Sequence, residues 1–259
     1  PSHCVERSGA AQVAIVGCAN AGKARWVADQ TRAEPEVSPS PYTTWTPTPG
    51  IVEVDYIPLQ LVDLPPLTPE HTEPWLADLI RNADALLILL DASSDDVLDD
   101  WEVIGITLSG MHVSLEPPPP SEEERPVGVR SPTHVVAASK LDRPGARTRL
   151  ELLREIVGDV PIWPVSLETT EGLDDLQREL VRVLDLIRVF TKQPRREANM
   201  QEPFVLRRGS TVEDAARGIH KELADTFKFA RAWGKRFHDG QPVGRDTVLE
   251  DGDLLEFHD

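Results

Sequence analysis

Ala11-Gln12-Val13-Ala14-Ile15-Val16-Gly17-Cys18-Ala19-Asn20-Ala21-Gly22-Lys23-Ala24 decides how this chain is read. Ala11 to Val16 is an apolar run of strand length that ends at Gly17. A Gly-containing turn follows and opens a stretch compatible with a helix. Strand, loop and helix in that order around Gly-x4-Gly-Lys describe a phosphate-binding loop. The glycines let backbone N–H groups of Gly17, Asn20, Ala21 and Gly22 close round a phosphate without Cβ clashes, and the helix N-terminus favours an anion. Lys23 would neutralise the β- and γ-phosphates. The next position normally carries a Ser or Thr whose hydroxyl binds Mg²⁺, but here it is Ala24, which cannot coordinate a metal. The alternative is a merely structural turn; the place at the first strand-to-helix connection is what favours phosphate.

Outward from this point, strands alternate with helices. Gly50–Tyr56 and Leu59–Val62 read as strands, as do Ala85–Leu90, His134–Ala138 and Ile162–Val165. Leu76–Arg81, Leu150–Val157 and Leu173–Leu186 have helical periodicity. This pattern predicts an α/β, doubly wound, mainly parallel sheet over residues 1–185, with ligands at the carboxyl ends of its strands. Residues 114–132, with the run Pro117–Pro120 followed by glutamates, are expected to be an exposed, mobile loop. A second unit, residues 186–259, holds strands at Ile187–Thr191, Phe204–Arg207 and Leu254–His258. Its helix is expected over Thr211–Ala224, with Ser210 as N-cap and Glu213 as its capping-box partner. That order suits a small α+β fold of the β-grasp kind.

Further candidate site residues follow in order. Asp63 ends a strand, where a carboxylate would hold Mg²⁺ through water; the sequence there is Asp63-Leu64-Pro65-Pro66. Pro66 stands where a glycine N–H would meet the γ-phosphate, and it has no N–H to donate. Ser139-Lys140-Leu141-Asp142 follows a strand and matches Asn-Lys-x-Asp except at its first residue. Asp142 would accept hydrogen bonds from guanine N1–H and N2–H₂, and the Lys140 stem would cover the base. Asp142 also reads as a turn residue before Arg143-Pro144-Gly145. Val165-Ser166-Leu167, after the next strand, is a third loop that would contact guanine through Ser166 and Leu167.

With these residues in place, the chain resembles the Obg-related GTPases, and within them the developmentally regulated GTP-binding protein (DRG) family. Pro41-Tyr42-Thr43-Thr44-Trp45-Thr46-Pro47-Thr48-Pro49-Gly50-Ile51 resembles that family's first switch, and Gln60-Leu61-Val62-Asp63-Leu64-Pro65 leads into its second. The resemblance implies GTP or GDP as ligand, Thr44 in preference to Thr43 as a Mg²⁺ ligand and γ-phosphate signal, and Asn20 as a potassium contact. Leu67 falls where these relatives carry a hydrophobic residue in place of a catalytic glutamine. Residues 186–259 resemble the TGS domain, a β-grasp module shared with threonyl-tRNA synthetases and stringent-response enzymes. This match rests on Pro203–Val212, Ile219-His220-Lys221, Arg231–Gly234 and Val248–Asp253. It implies RNA or ribosome contact. The family's N-terminal helical region and the helical insertion in its G domain have no counterpart in the sequence.

Composition bounds the rest. The formal net charge is −17, with 40% hydrophobic and 27% charged residues. All of the excess negative charge lies in residues 1–185, and the stretch from Asn82 through Glu124 contains no Lys or Arg. Residues 188–236 hold twice as many basic as acidic side chains, so an anionic partner outside the nucleotide site belongs there; a solvated surface of mixed sign fits the charge equally well. No apolar stretch approaches the roughly 20 residues of a membrane helix, no leader is evident, and the two cysteines form no disulfide framework. These features make the reducing cytoplasm the expected compartment. The chain starts at Pro1 without a Met, so residues are expected to have preceded it.

Two readings remain open, a slow GTPase with Lys23, Asp63 and Thr44 in its catalytic set, and a pseudo-GTPase that binds without turnover. A third, an adenine-nucleotide enzyme, would require guanine discrimination to be lost.

Overall fold

The structure is a computed structural model that describes residues 5–31, 47–70, 73–117, 121, 127–194 and 196–258. The chain divides into two compact units, the first of Pro1–Val52 and Pro58–Val183, the second of Leu184–Asp259 together with Glu53–Ile57.

The first unit is a six-stranded sheet of order β2-β3-β1-β4-β5-β6. Its strands are β1 (Ala11–Val16), β2 (Thr48–Val54), β3 (Ile57–Asp63), β4 (Ala85–Asp91), β5 (His134–Ser139) and β6 (Ile162–Pro164). β3, β1, β4, β5 and β6 run parallel, so all five end at one edge. Register along that edge sets Ile15 beside Asp63, Val16 beside Ile88, and Asp91 beside Ser139. β1 and β4 are buried at every position, which explains why they read as unbroken apolar runs rather than as alternating ones.

Helices α2 (Pro74–Asn82), α3 (Val97–Gly110) and α4 (Ala146–Val157) cover one face. There Leu76, Ile80, Ile104, Leu108, Leu150 and Leu153 join Ala14, Val16, Ile88 and Val136 in one core. Helices α1 (Lys23–Gln30) and α5 (Leu173–Leu184) bury Trp26, Val27, Leu176 and Leu180, and a Gln177–Gln30 hydrogen bond of 2.6 Å ties them together. This is the doubly wound α/β sheet expected from the sequence. α3 was not foreseen: the acidic, Lys- and Arg-free stretch contains a 14-residue helix. The loop over 114–132 is closed at its base, where Ser114 donates to the Arg130 carbonyl and Arg130 to that of His112. Pro118–Pro120 and residues 122–126 lie outside the described residues.

The second unit is a five-stranded sheet of order β10-β9-β11-β7-β8. β7 (Leu186–Thr191) and β8 (Phe204–Arg207) form an antiparallel pair, and β11 (Leu254–His258) lies parallel to β7. β9 (Phe229–Trp233) runs antiparallel to both β11 and β10 (Gln241–Val243). Ile187, Val189, Ala230, Ala232 and Leu255 face Val212, Ala215, Ala216 and Phe227 in a core separate from that of the first unit. This is a β-grasp arrangement.

Its helical segment differs from the sequence reading in two ways. Thr211, not Ser210, is the N-cap: its hydroxyl accepts from the Asp214 N–H while the Asp214 carboxylate accepts from the Thr211 N–H. The single helix expected over Thr211–Ala224 is two, α6 (Val212–Ile219) and α7 (Lys221–Thr226). His220 breaks them in an extended conformation and caps the second, its ring Nδ1 accepting from Glu222 N–H at 3.3 Å.

Candidate functional site

The loop between β1 and α1 begins where the backbone admits no side chain. A Cβ on Gly17 would lie 2.6 Å from the Leu89 carbonyl oxygen of the neighbouring strand. Asn20 and Gly22 then take left-handed conformations, φ 64° and 90°. Gly22 is the N-cap of α1 and makes no side-chain cap, so the first amides of that helix face the loop. Lys23, 6% exposed, folds back so that its Nζ donates to the Gly17 and Cys18 carbonyls, each at 3.1 Å. Burial lowers its pKa, opposed by the carboxylate of Asp63 and by Cys18. The Cys18 thiol is pushed up to about 12, first by burial and then by Asp100, so it is no nucleophile at neutral pH.

Asp63 stands at the end of β3, 6% exposed. Burial raises its pKa to about 6, against the pull of Lys23, and its Oδ1 has no hydrogen-bond partner. That orphaned oxygen is what a water or cation would satisfy. Ala24 offers no oxygen beside it, and no group of three His, Cys, Asp or Glu side chains assembles among the described residues. Thr43 and Thr44 lie outside the described residues, as does the rest of the first-switch candidate to Thr46. The described residues therefore do not make up a Mg²⁺ site. For potassium they supply only Asn20, whose side chain is exposed and whose carbonyl accepts from Lys140 Nζ at 3.0 Å.

The loops after β5 and β6 come to the same edge. Ser139, 5% exposed, is held by hydroxyl contacts to the Leu90 carbonyl at 2.9 Å and the Ala21 carbonyl at 3.3 Å. The short side chain thus still braces the phosphate loop, although one hydroxyl proton can serve only one of these acceptors at a time. Lys140 pairs with Asp91 at 2.6 Å. Asp142 accepts from the hydroxyl of Ser166 at 2.6 Å, and this bond, above the nearby Arg143 and Arg25 charges, lowers its pKa. Ser166 is wholly buried, so it orients the carboxylate from behind. A backbone bond from Leu141 N–H to the Val165 carbonyl ties the two loops together.

These groups enclose a cavity of about 480 Å³ lined by Ala21, Gly22, Ser139, Lys140, Asp142 and Leu167. Arg25 and Glu168, joined by a 2.8 Å ion pair, stand at its wall. An ionised acceptor on one loop and a helix N-terminus at Gly22 suit a flat base with hydrogen-bond donors joined to an anionic group. Asp91 is the residue the sequence reading missed. It ends the β4 run and also accepts from the Ser93 N–H and hydroxyl, at 2.9 and 2.6 Å. Its signal was a lone carboxylate closing an apolar parallel strand, the same position that Asp63 holds on β3.

Comparison with known proteins agrees with the fold. Residues 12–111 match the family model described as 50S ribosome-binding GTPase, and residues 187–259 match the TGS domain. An uncharacterised GTP-binding protein of Halobacterium salinarum is 28% identical, covering 98% of this chain and 84% of its own. That alignment spans 315 positions, so the relative has stretches with no counterpart in these 259 residues. Developmentally-regulated GTP-binding protein 1 of Xenopus laevis and Ribosome-interacting GTPase 1 of Saccharomyces cerevisiae are each 25% identical, over 97% of this chain and 83% of theirs. Among solved structures, Aquifex aeolicus Era bound to GDP and AlF4 aligns with TM-score 0.50 at 17% identity, over 68% of this chain and 57% of that one, a likeness of fold. The chain is therefore a GTPase-type P-loop domain followed by a TGS domain, similar along nearly its whole length to proteins named developmentally regulated GTP-binding proteins.

Proposed function

We propose that the chain is a guanine-nucleotide-binding protein, taking GTP and GDP, whose hydrolytic step is impaired, and that it acts as a cytoplasmic regulator on RNA or the ribosome. The observation that carries the nucleotide reading is the convergence of Gly22, Lys140 and Asp142 on one cavity, with Asp142 held ionised by Ser166 and Lys23 next along the chain from Gly22. Recognition of base and phosphates uses those groups and needs no side-chain oxygen at position 24. Hydrolysis is another matter. With Ala24 the chain lacks a metal-binding hydroxyl, and a missing charge-assisted contact costs about 1.5–3 kcal/mol, roughly tenfold or more in rate.

A pseudo-GTPase with no turnover is the second reading, favoured by Pro66, which removes an N–H from the γ-phosphate side. The RNA or ribosome part rests on the TGS match, on the printed name of the yeast relative, and on exposed basic side chains of the second unit.

Calorimetry with GDP, beside Asp142→Ala and Lys23→Ala, tests the nucleotide reading. The expected outcome is micromolar binding, weakened tenfold or more in Asp142→Ala; no binding of GDP by the unaltered chain would sink it. Steady-state phosphate release above the Lys23→Ala background then separates a slow GTPase from a pseudo-GTPase. Repeating both in potassium and in sodium tests Asn20 as a potassium contact.

A further inference from the structure

The segment Asp63–Leu67 runs along the phosphate loop, where a GTPase would be expected to feel the third phosphate. Three features hold it still. Leu64 and Leu67 are 0% and 1% exposed and pack in the main core of the first unit with Val16, Leu76 and Ile80. The N–H of Leu67 donates to the Gly17 carbonyl at 3.1 Å, a bond to the first residue of the phosphate loop itself. Pro65 and Pro66 have no N–H and fix their own φ angles.

From Pro65 to Leu67, then, every backbone donor is either missing or engaged within the unit. Releasing the Leu67 N–H to reach a phosphate would require breaking its bond to Gly17 and lifting a buried leucine from the core. We propose that Asp63–Leu67 is a fixed strut rather than a switch: it gives the γ-phosphate no hydrogen bond and does not rearrange between diphosphate and triphosphate states. This rests on the nucleotide reading above and specifies how that same site is regulated: through this segment, the site reads base and diphosphate and is blind to the third phosphate.

The test uses the full chain and two readouts. The first is the hydrogen-exchange rate of the Leu67 amide, by nuclear magnetic resonance, with GDP and with a nonhydrolysable GTP analogue. A strut leaves that amide equally protected in both states, within about threefold. Faster exchange beyond that in the triphosphate state, as its bond to Gly17 opens, would overturn the proposal. The second readout is the GDP-to-analogue affinity ratio in the native chain and in Pro66→Gly, which returns an N–H and backbone freedom. One restored phosphate contact is worth roughly tenfold. The variant should therefore shift the ratio toward the triphosphate by fivefold or more, and an unchanged ratio counts against the missing donor as the cause. Failure of GDP to bind the native chain at all is a different result, which removes the nucleotide reading and leaves the amide measurement on the free protein to judge the strut.

Discussion

A carboxylate carried into a protein core with one oxygen unpartnered destabilises the fold unless a ligand or water covers it. Asp63 is in that position: 6% exposed, Oδ1 unbonded, its pKa raised by burial to about 6. The native state thus holds its proton to higher pH than the unfolded chain does, whose ordinary value is 3.8. Below that value both states are protonated and the group is neutral in the balance. As pH rises from there to 6, the unfolded state ionises first and stability falls; above 6 the full cost remains. Asp63→Asn in nucleotide-free protein, with a chelator present, should raise stability at pH 7.5 by about 2–3 kcal/mol and change it little at pH 4. Urea unfolding at the two pH values measures this. Equal gains at both would mean that packing, not ionisation, separates the variants. The same residue shows how far a sequence carries at this scale. Its place at a strand end was legible, whereas its lack of a partner depends on what Pro65, Pro66 and Ala24 fail to supply around it.

Among elements, legibility followed the pattern of burial. β1, β4 and β5 declared themselves because a parallel strand buried on both faces leaves an unbroken apolar run. α3 stayed hidden because Leu98, Trp101, Val103, Ile104, Ile106 and Leu108 spread round the helix, leaving no polar stripe to set the 3.6-residue period. The second unit's helix start was ambiguous for a different reason. Ser210-Thr211-Val212-Glu213-Asp214 fits hydroxyl-to-acid capping in two registers, and the sheet decides between them. Leu249 N–H donates to the Ser210 carbonyl and Thr211 bridges Val248, which leaves the Thr211 hydroxyl aimed at the Asp214 N–H. Thr211→Ala should accordingly cost about 0.5–2 kcal/mol, and Ser210→Ala less than about 0.5 kcal/mol. Thermal unfolding of the full chain distinguishes them, and an equal loss for both would put the cap at neither residue alone. His220 escaped notice as a breaker because an imidazole accepting from a backbone N–H two residues on leaves no trace in hydrophobic periodicity.

At the scale of the molecule the question is what a chain of net charge −17 can do with an anionic partner. The basic stretch 188–236 suggested a site, but the fold neutralises much of it. Arg188 pairs with Asp251, Lys192 with Glu256, Arg208 with Asp185 and Arg236 with Glu250. Three of those carboxylates lie near the end of the chain, far in sequence, so counting charges within the stretch overstated its free positive charge. Lys221, Lys228, Arg231 and Lys235, with Arg196, are exposed with no ion-pair partner among the described residues, and they are available for phosphate contacts. If RNA binds the second unit, it should do so chiefly through these. Anisotropy of a labelled single-stranded RNA, titrated with the full chain at several salt concentrations, gives both affinity and the number of ions released. Replacing Lys221, Lys228 and Lys235 together by Glu should weaken binding at least tenfold. It should also flatten the slope of log affinity against log salt by about 2, since each phosphate contact on a single strand contributes about 0.7. GDP affinity, which the proposed function assigns to Lys23 and Asp142 in the first unit, should not move. A variant that loses RNA with an unchanged slope would point to misfolding of the second unit, and binding that survives the three substitutions would place the RNA elsewhere.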